Sequence, residues 1–252
     1  MTSRAEFMAR IRGEMAKTNG LFAAATAERP AAPGERLSML RRELAERWPA
    51  ALERFRDEFT RVGGVFYRVG RATDVPEMVA AIATQTGARR LISWHPRMLG
   101  ADWVPALAAR GLPMEAMPSG ALAPAERDAL RARIAAADLG LTGVDLAVAE
   151  TGTLVLVSGS GRPRSTSLLP AVHVAVFDRA ALVESLEQVG LVLEAWHESG
   201  RDDRPERGAA INFITGPSRT ADIELTLTRG VHGPKEVHAI FVDDGLPEAP
   251  RV

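Results

Sequence analysis

The segment VFYRVGRATDVPEMVAAIATQTGARRLISW, residues 65–94, decides the fold class because it reads as strand, helix and strand in turn. Val65–Val69 and Leu91–Trp94 are short apolar runs, and the segment that begins at Pro76 has a helical pattern. A helix between two strands favours parallel pairing with a right-handed crossover. Because the alternation continues to Phe177, the sequence predicts α/β structure in a single domain with a mainly parallel sheet.

Two helical patterns precede this alternation. Apolar residues recur at helical spacing over 7–15, and Gly20–Gly34 has no sustained period, which predicts an N-terminal helical arm and an irregular linker. A second, longer amphipathic pattern covers 37–62, and Pro49 is expected to kink or split it. The sequence thus divides into an N-terminal helix and linker (1–36) and an α/β domain (37–252).

Composition limits the chemistry that this chain can perform. The sequence has no cysteine, so we expect no cofactor of the cysteine-ligated iron–sulfur type in this chain. A formal net charge of -1 gives no general attraction to nucleic acid or to an anionic membrane. No run approaches the roughly 20 apolar residues of a membrane span, and the first residues lack the apolar core of a signal peptide. We therefore expect a cytoplasmic protein without a membrane span.

The segment NFITGPSRTADIELTLTRGVHGP, residues 212–234, concentrates turn residues and polar side chains. Its apolar start ends in Thr215-Gly216-Pro217-Ser218, which we expect to present hydroxyls and backbone N–H groups at the carboxyl edge of a sheet, where open α/β folds bind ligands. Arg219 adds a cation that suits phosphate or carboxylate oxygens. The pattern predicts an anion-binding turn, with a purely structural turn as the alternative.

Further along, two carboxylates and a histidine are candidates for chemistry. Asp222 and Glu224 share one face if the segment is extended, where they would bind a metal or a basic ligand, or hold nearby N–H groups and arginines. His232 lies in the turn Gly230–Pro234 and suits proton transfer or carboxylate binding. The five histidines have no metal-ligand spacing, so we predict no dedicated transition-metal site.

Glu150 stands between two apolar runs that are too close for a helical crossover. Val144–Ala149 and Thr153–Ser158 are therefore expected to form a hairpin or a sharply bent strand pair. A carboxylate held partly desolvated at the tip of this turn suits acid–base or nucleophilic catalysis. The alternative is a turn glutamate that accepts hydrogen bonds from nearby N–H groups.

Together with Ala149–Thr153 and Ser167–Pro170, these turns resemble the LUD domain family, and most closely its lactate utilization protein C branch. The resemblance covers nearly the whole chain. It implies a fold like that of the NagB/RpiA/CoA-transferase superfamily. It also implies a role in the oxidation of L-lactate to pyruvate alongside iron–sulfur lactate-utilization subunits (LutA/LutB-like). The reaction of this chain itself does not follow from the resemblance.

The candidate site combines both lines of reasoning. Its catalytic candidates are Glu150 and His232, and no metal is included. Its ligand-binding candidates are Thr151, Gly152, Thr215, Gly216, Pro217, Ser218, Arg219, Thr220, Asp222, Glu224 and Gly233.

Three functions stay open on the sequence. The first is an accessory subunit of an L-lactate oxidising system that binds a small anionic ligand while partners handle the electrons. The second is a stand-alone CoA-transferase-like or sugar-phosphate-isomerase-like enzyme that uses Glu150. The third is an assembly protein in which the same motifs only preserve the fold. Whether the chain is an enzyme is not decided by its sequence.

Overall fold

The computed structural model describes residues 3–17, 31–120, 122–198, 207–223 and 226–246. The helices within these residues are α1 (Arg4–Lys17), α2 (Pro33–Arg61), α3 (Val75–Thr86), α4 (Pro96–Leu99), α5 (Val104–Ala108), α6 (Pro124–Ala135), α7 (Ser165–Leu168) and α8 (Leu186–Glu198). The strands are β1 (Val65–Val69), β2 (Leu91–Ser93), β3 (Met114–Ala116), β4 (Leu139–Gly143), β5 (Leu146–Val148), β6 (Thr153–Gly159), β7 (Val172–Phe177), β8 (Leu182–Val183), β9 (Arg207–Ile214), β10 (Arg219–Ile223), β11 (Thr226–Arg229) and β12 (Glu236–Val242).

A six-stranded sheet in the order β1-β12-β7-β4-β2-β3 forms the centre of the molecule. All of its strand pairs are parallel. Its inner strands β7 and β4 are buried along their whole length, because helices and the second sheet cover both faces. This arrangement confirms the predicted mainly parallel α/β fold.

A second sheet of four strands, in the order β8-β5-β6-β9, packs beside the first. Its centre is the predicted hairpin, in which Val148 of β5 pairs antiparallel with Thr153 of β6. The side chains of β6 alternate between two cores. Leu154 and Leu156 join the core of the six-stranded sheet, whereas Val155 joins a core beneath α2 and α8. Both faces of this hairpin are therefore buried.

The long helix α2 contacts both cores. Its first half contributes Leu40 and Leu44 to the core shared with α8, and its second half contributes Phe55 and Phe59 to the core of the six-stranded sheet. The helix is one uninterrupted element that contains Pro49, so of the two outcomes expected for the proline, a kink or a split, the split does not occur. Proline removes one backbone hydrogen bond, and burial of apolar side chains on both sides of it outweighs that loss.

The N-terminal helix α1 contributes no buried residue to either core. None of its residues is buried, and its apolar side chains Phe7 and Met15 are 57% and 66% exposed. Among the described residues, no helix is both long enough and apolar enough to cross a membrane.

His173 on β7 is a fully buried polar side chain in the main core. Its Nε2 atom lies 2.8 Å from the hydroxyl of Thr142 on β4. Burial lowers the pKa of His173 and the nearby His238 adds a smaller effect in the same direction, so that together they bring the pKa to about 3. The folded protein therefore keeps this imidazole neutral at pH values where the unfolded chain protonates it.

We expect this histidine to make the fold sensitive to mild acid. The unfolded chain takes up a proton below about pH 6.5 and the folded chain does not, so stability is present above that pH and falls as the pH falls. Between pH 7 and pH 5 the loss from this group is about 2 kcal/mol. Denaturant melts of the wild type and of His173→Gln, which cannot titrate, measure it. Equal losses in both proteins over this interval would contradict the assignment.

Candidate functional site

Four turns meet where α2 ends, and we call them the turn cluster. They are Val62–Gly64 after α2, Glu150–Thr153 between β5 and β6, Thr215–Ser218 after β9, and Gly230–Lys235 before β12. The first and last of these precede β1 and β12, so the cluster lies at the amino edge of the six-stranded sheet. The sequence had predicted the carboxyl edge. The difference arises because β9 belongs to the four-stranded sheet and runs antiparallel to β6, so its end returns to α2.

Three threonine hydroxyls connect two of these turns. The Oγ1 atom of Thr153 lies 2.7 Å from Oγ1 of Thr151 and 2.7 Å from Oγ1 of Thr215. Thr153 is buried, Thr151 is partly exposed and Thr215 is exposed. The antiparallel pairing of Leu154 with Ile214 sets this contact, because it brings the start of β6 beside the end of β9.

Ser218 joins the third turn to the fourth. Its backbone N–H donates to the carbonyl of Pro234 over 2.9 Å, and its carbonyl accepts from the N–H of Gly230 over 3.0 Å. Its side-chain oxygen accepts a hydrogen bond of 3.3 Å from the backbone N–H of His232. Gly233 is adjacent, since a Cβ atom there would lie 3.3 Å from Cβ of Ser218. Ser218 thus holds the histidine turn in place through its backbone and its side-chain oxygen.

Arg219 has a structural contact in the cluster. Its Nη2 atom donates to the carbonyl of Val62 over 2.6 Å, at the C-terminal end of α2. The last carbonyls of a helix have no partner within the helix, and a guanidinium satisfies one of them while its charge suits the helix dipole. Gly216 lies against the same carbonyl, because a Cβ atom at this position would be 2.5 Å from the oxygen of Val62. The buried Pro217 packs next to Gly63.

Gly152 allows the hairpin turn to touch the backbone of α2. It has a φ of 60°, and a Cβ atom would lie 2.3 Å from the backbone nitrogen of Phe59. Only glycine meets both conditions without strain, because side chains disfavour this φ and nothing on the helix backbone can move aside. The Glu-Thr-Gly motif therefore fixes the distance between the hairpin and the end of α2.

Glu150 is exposed, and its carboxylate points to a helix. Its Oε2 atom accepts a hydrogen bond of 3.1 Å from the backbone N–H of Leu186, the first residue of α8. Its backbone N–H donates to the carbonyl of Glu184. A carboxylate at a helix N-terminus stabilises the unpaired N–H groups and the positive end of the dipole. This contact matches the structural alternative that the sequence left open for Glu150.

Basic side chains lie at the Ser218 end of the cluster. His232 and Lys235 are exposed, and Arg219 is exposed beyond its contact with Val62. The backbone of Thr220 and Asp222 lies in β10, but their side chains are not described. Glu224 lies outside the described residues. The prediction that Asp222 and Glu224 share one face therefore also falls outside the described residues. Among the residues that are described, no group of three or more His, Asp or Glu side chains is placed to hold a metal ion.

The structure brings together most of the residues that the sequence selected. The contacts above connect Thr151, Gly152, Thr215, Gly216, Pro217, Ser218, Arg219, His232 and Gly233, whereas the carboxylate of Glu150 is directed to α8. Sequence reasoning missed Thr153 as the central hydroxyl and Lys235 as a cation of the site. Both had a signal, since each directly follows a selected turn and Lys235 is one of only two lysines.

The parallel sheet and the glycine-rich turn cluster define an α/β domain with a candidate ligand site built from turns. Residues 52–242 match the model of the LUD domain, and the chain belongs to that family. It is 44% identical over 108 residues to lactate utilization protein C of Halalkalibacterium halodurans and 42% identical over 108 residues to that of Shouchella clausii. Each match covers 43% of this chain and 45% of the relative, so the chain spans about half the length of these curated relatives.

A solved structure shows the same fold. The chain resembles a DUF162 family protein from Deinococcus radiodurans with a TM-score of 0.50 and 23% sequence identity. The superposition covers 77% of this chain and 97% of the other.

A glycine-to-alanine pair tests how tightly the turn cluster is built. We expect Gly152→Ala to lower the free energy of unfolding by about 3 kcal/mol or more, because the left-handed φ and the contact with Phe59 both oppose a side chain. Gly87→Ala is the matched control. Gly87 has a φ of 73° but open space around it, so it reports the backbone strain alone, about 1 kcal/mol. Equal losses in denaturant melts would refute the close contact.

Proposed function

We propose that this chain is an accessory subunit of a system that oxidises L-lactate to pyruvate, and that its turn cluster binds a small anionic ligand. The names of the curated relatives support a role in lactate utilization. We propose that iron–sulfur subunits are its partners and carry the electrons. The composition supports this division of labour, because the 252 residues contain no cysteine to hold such a cluster.

The hydrogen bonds among the three threonines are the observation that best supports anion binding. Each hydroxyl has one proton to donate, so the two O···O contacts use two of the three protons. Thr153 is buried between Thr151 and Thr215, and its hydroxyl donates its proton to one of them. The remaining proton therefore belongs to Thr151 or Thr215, at the two ends of the chain of hydroxyls, where it is available to an acceptor.

The charges around the cluster favour a negatively charged acceptor. Lys235 stands at the Ser218 end, and Arg219 uses one of its five donor N–H groups on Val62. Hydrogen bonds to a charged group contribute about 1.5–3 kcal/mol, roughly twice a neutral one. A carboxylate such as that of lactate or pyruvate has the oxygens that these groups require.

The stand-alone enzyme is the less supported alternative. It needs the carboxylate of Glu150 as a nucleophile or as a general base. In the structure Oε2 of this carboxylate accepts the N–H of Leu186 and the group is directed to α8, so catalysis at the turn cluster would have to rely on Oε1 of a carboxylate that points to another element. The accessory function makes no such demand.

Growth on L-lactate tests the proposal in cells. We expect a strain that lacks the gene to grow poorly on L-lactate, and we expect Ser218→Ala or Thr215→Val to restore it much less than the wild type does. Ser38→Ala is the matched control, because it also removes one serine hydroxyl from the surface, on α2 and away from the cluster. Each variant loses at most about 1–1.5 kcal/mol of stability through one hydrogen bond, which a domain of this size tolerates.

The same strains show whether a failure concerns the proposed site or the proposed pathway. Normal growth with soluble Ser218→Ala and Thr215→Val proteins would reject the turn cluster as the functional site. Normal growth of the deletion strain would reject the pathway itself. Purification of the tagged protein from lactate-grown cells tests the partners, since iron–sulfur proteins are expected to co-purify with it.

Binding is measured directly with purified protein. We expect calorimetry to detect L-lactate, pyruvate or inorganic phosphate, and we expect Thr215→Val to weaken that binding about tenfold, the equivalent of about 1.4 kcal/mol. Ser38→Ala should leave the affinity unchanged. Equal affinity in wild type and Thr215→Val would show that the anion binds elsewhere.

A further inference from the structure

A cavity lies away from the turn cluster. It has a volume of about 340 Å³, opens to solvent, and is bounded by the first half of α2, by β5 and β8, and by α8. Its wall is mostly apolar and includes Leu40, Leu44, Trp48, Leu146, Leu182 and Val192. Trp48 and Val62 are 14 positions apart on the helix that connects the two places, which corresponds to roughly 20 Å along its axis. A ligand in this cavity is therefore separate from a ligand in the turn cluster.

Two arginines complete the wall of this cavity. Arg41 comes from α2, and Arg179 comes from the short 3-10 turn that precedes β8. Among the described residues, Arg179 is exposed and makes no hydrogen bond or ion pair through its guanidinium. None of the described lining residues is acidic. The cavity thus combines a mostly apolar wall with the positive charge of Arg179, which no lining residue neutralises.

We propose that this cavity binds an apolar monocarboxylate, a fatty acid anion of medium chain length, with the chain among the leucines and the carboxylate against Arg41 and Arg179. Burial of an aliphatic chain is favourable by about 0.8 kcal/mol for each methylene group. The guanidinium group matches the planar carboxylate with two parallel hydrogen bonds. In a fatty acid anion the aliphatic chain and the carboxylate are at opposite ends of one molecule. The cavity offers an apolar wall for the chain and arginines for the carboxylate.

The size and charge of the cavity favour this ligand over two alternative occupants, lactate and helix α1. A volume of 340 Å³ is at the small end of ligand pockets, which measure about 300–1,000 Å³, so an aliphatic chain fills it whereas lactate leaves the apolar wall facing water. The other occupant is α1, whose Phe7, Ile11 and Met15 are exposed. That helix has four basic and two acidic side chains, so its net charge repels the two arginines.

Calorimetry and intrinsic tryptophan fluorescence, to which Trp48 and three other tryptophans contribute, test the proposal with the full-length protein. We expect decanoate, kept below its micellar concentration, to bind and to change the tryptophan emission. Decanol has the same chain without the charge, and we expect it to bind at least about tenfold more weakly. We expect Arg179→Gln to weaken decanoate binding about tenfold, whereas Arg131→Gln on α6 should leave it unchanged.

A pair of bulky substitutions on α2 tests the location. Ala45 is exposed and lines the cavity, so we expect Ala45→Trp to obstruct it and abolish binding. Ala50 is also exposed on α2 but does not line the cavity, so Ala50→Trp is the matched control and should bind like the wild type. Both positions are on the surface, and similar melting temperatures would exclude unfolding as the cause.

Three results would overturn the proposal. The first is no binding of decanoate to the wild-type protein. The second is equal binding of decanol and decanoate, which would remove the role of the arginines. The third is binding that appears only in Phe7→Ser with Ile11→Ser, which would show that α1 is the occupant of the cavity.

Discussion

Burial of one face of α2 against two different sheets is the constraint on which the rest of the structure depends. Leu40 and Leu44 pack on the four-stranded sheet together with α8, and Phe55 and Phe59 pack on the six-stranded sheet. Phe55 lies 5.3 Å from Phe59 and 5.2 Å from Phe177, measured between ring centroids. Such aromatic pairs add about 0.5–1.5 kcal/mol beyond the area that they bury. The helix thereby sets the position of the two sheets relative to each other.

The turn cluster is a consequence of where this helix ends. The carbonyl of Val62 receives Arg219 and faces Gly216, and the backbone of Phe59 faces Gly152. Because glycines bring two turns into contact with the helix backbone, the hydroxyls of Thr151 and Thr215 approach Thr153 closely enough to form hydrogen bonds. Rigid backbone contacts and exposed hydroxyls are therefore produced by the same glycines. This is why we place ligand binding, rather than a free catalytic carboxylate, at the centre of the proposed function.

The sequence predicted correctly those elements whose signal lies in neighbouring residues. Apolar runs of strand length, separated by helical patterns, predicted the parallel sheet, and the short distance between Val148 and Thr153 predicted the hairpin. It did not predict features that depend on contacts with segments distant in sequence. Pro49 does not split α2, because burial on either side of it holds the helix together. The turn after β9 reached the amino edge of the parallel sheet, because antiparallel pairing with β6 reverses its direction.

The sequence by itself determined the α/β class, the glycine turns and the absence of thiol chemistry, since composition and periodicity depend only on neighbouring residues. Only the tertiary structure decided that the carboxylate of Glu150 meets the start of α8 and that Thr153 connects two turns that are 62 residues apart. It also decided that Arg41 and Arg179 share the wall of one apolar cavity. Contacts of this kind depend on how α2 and the sheets pack, and packing is a property of the whole chain that no single segment encodes.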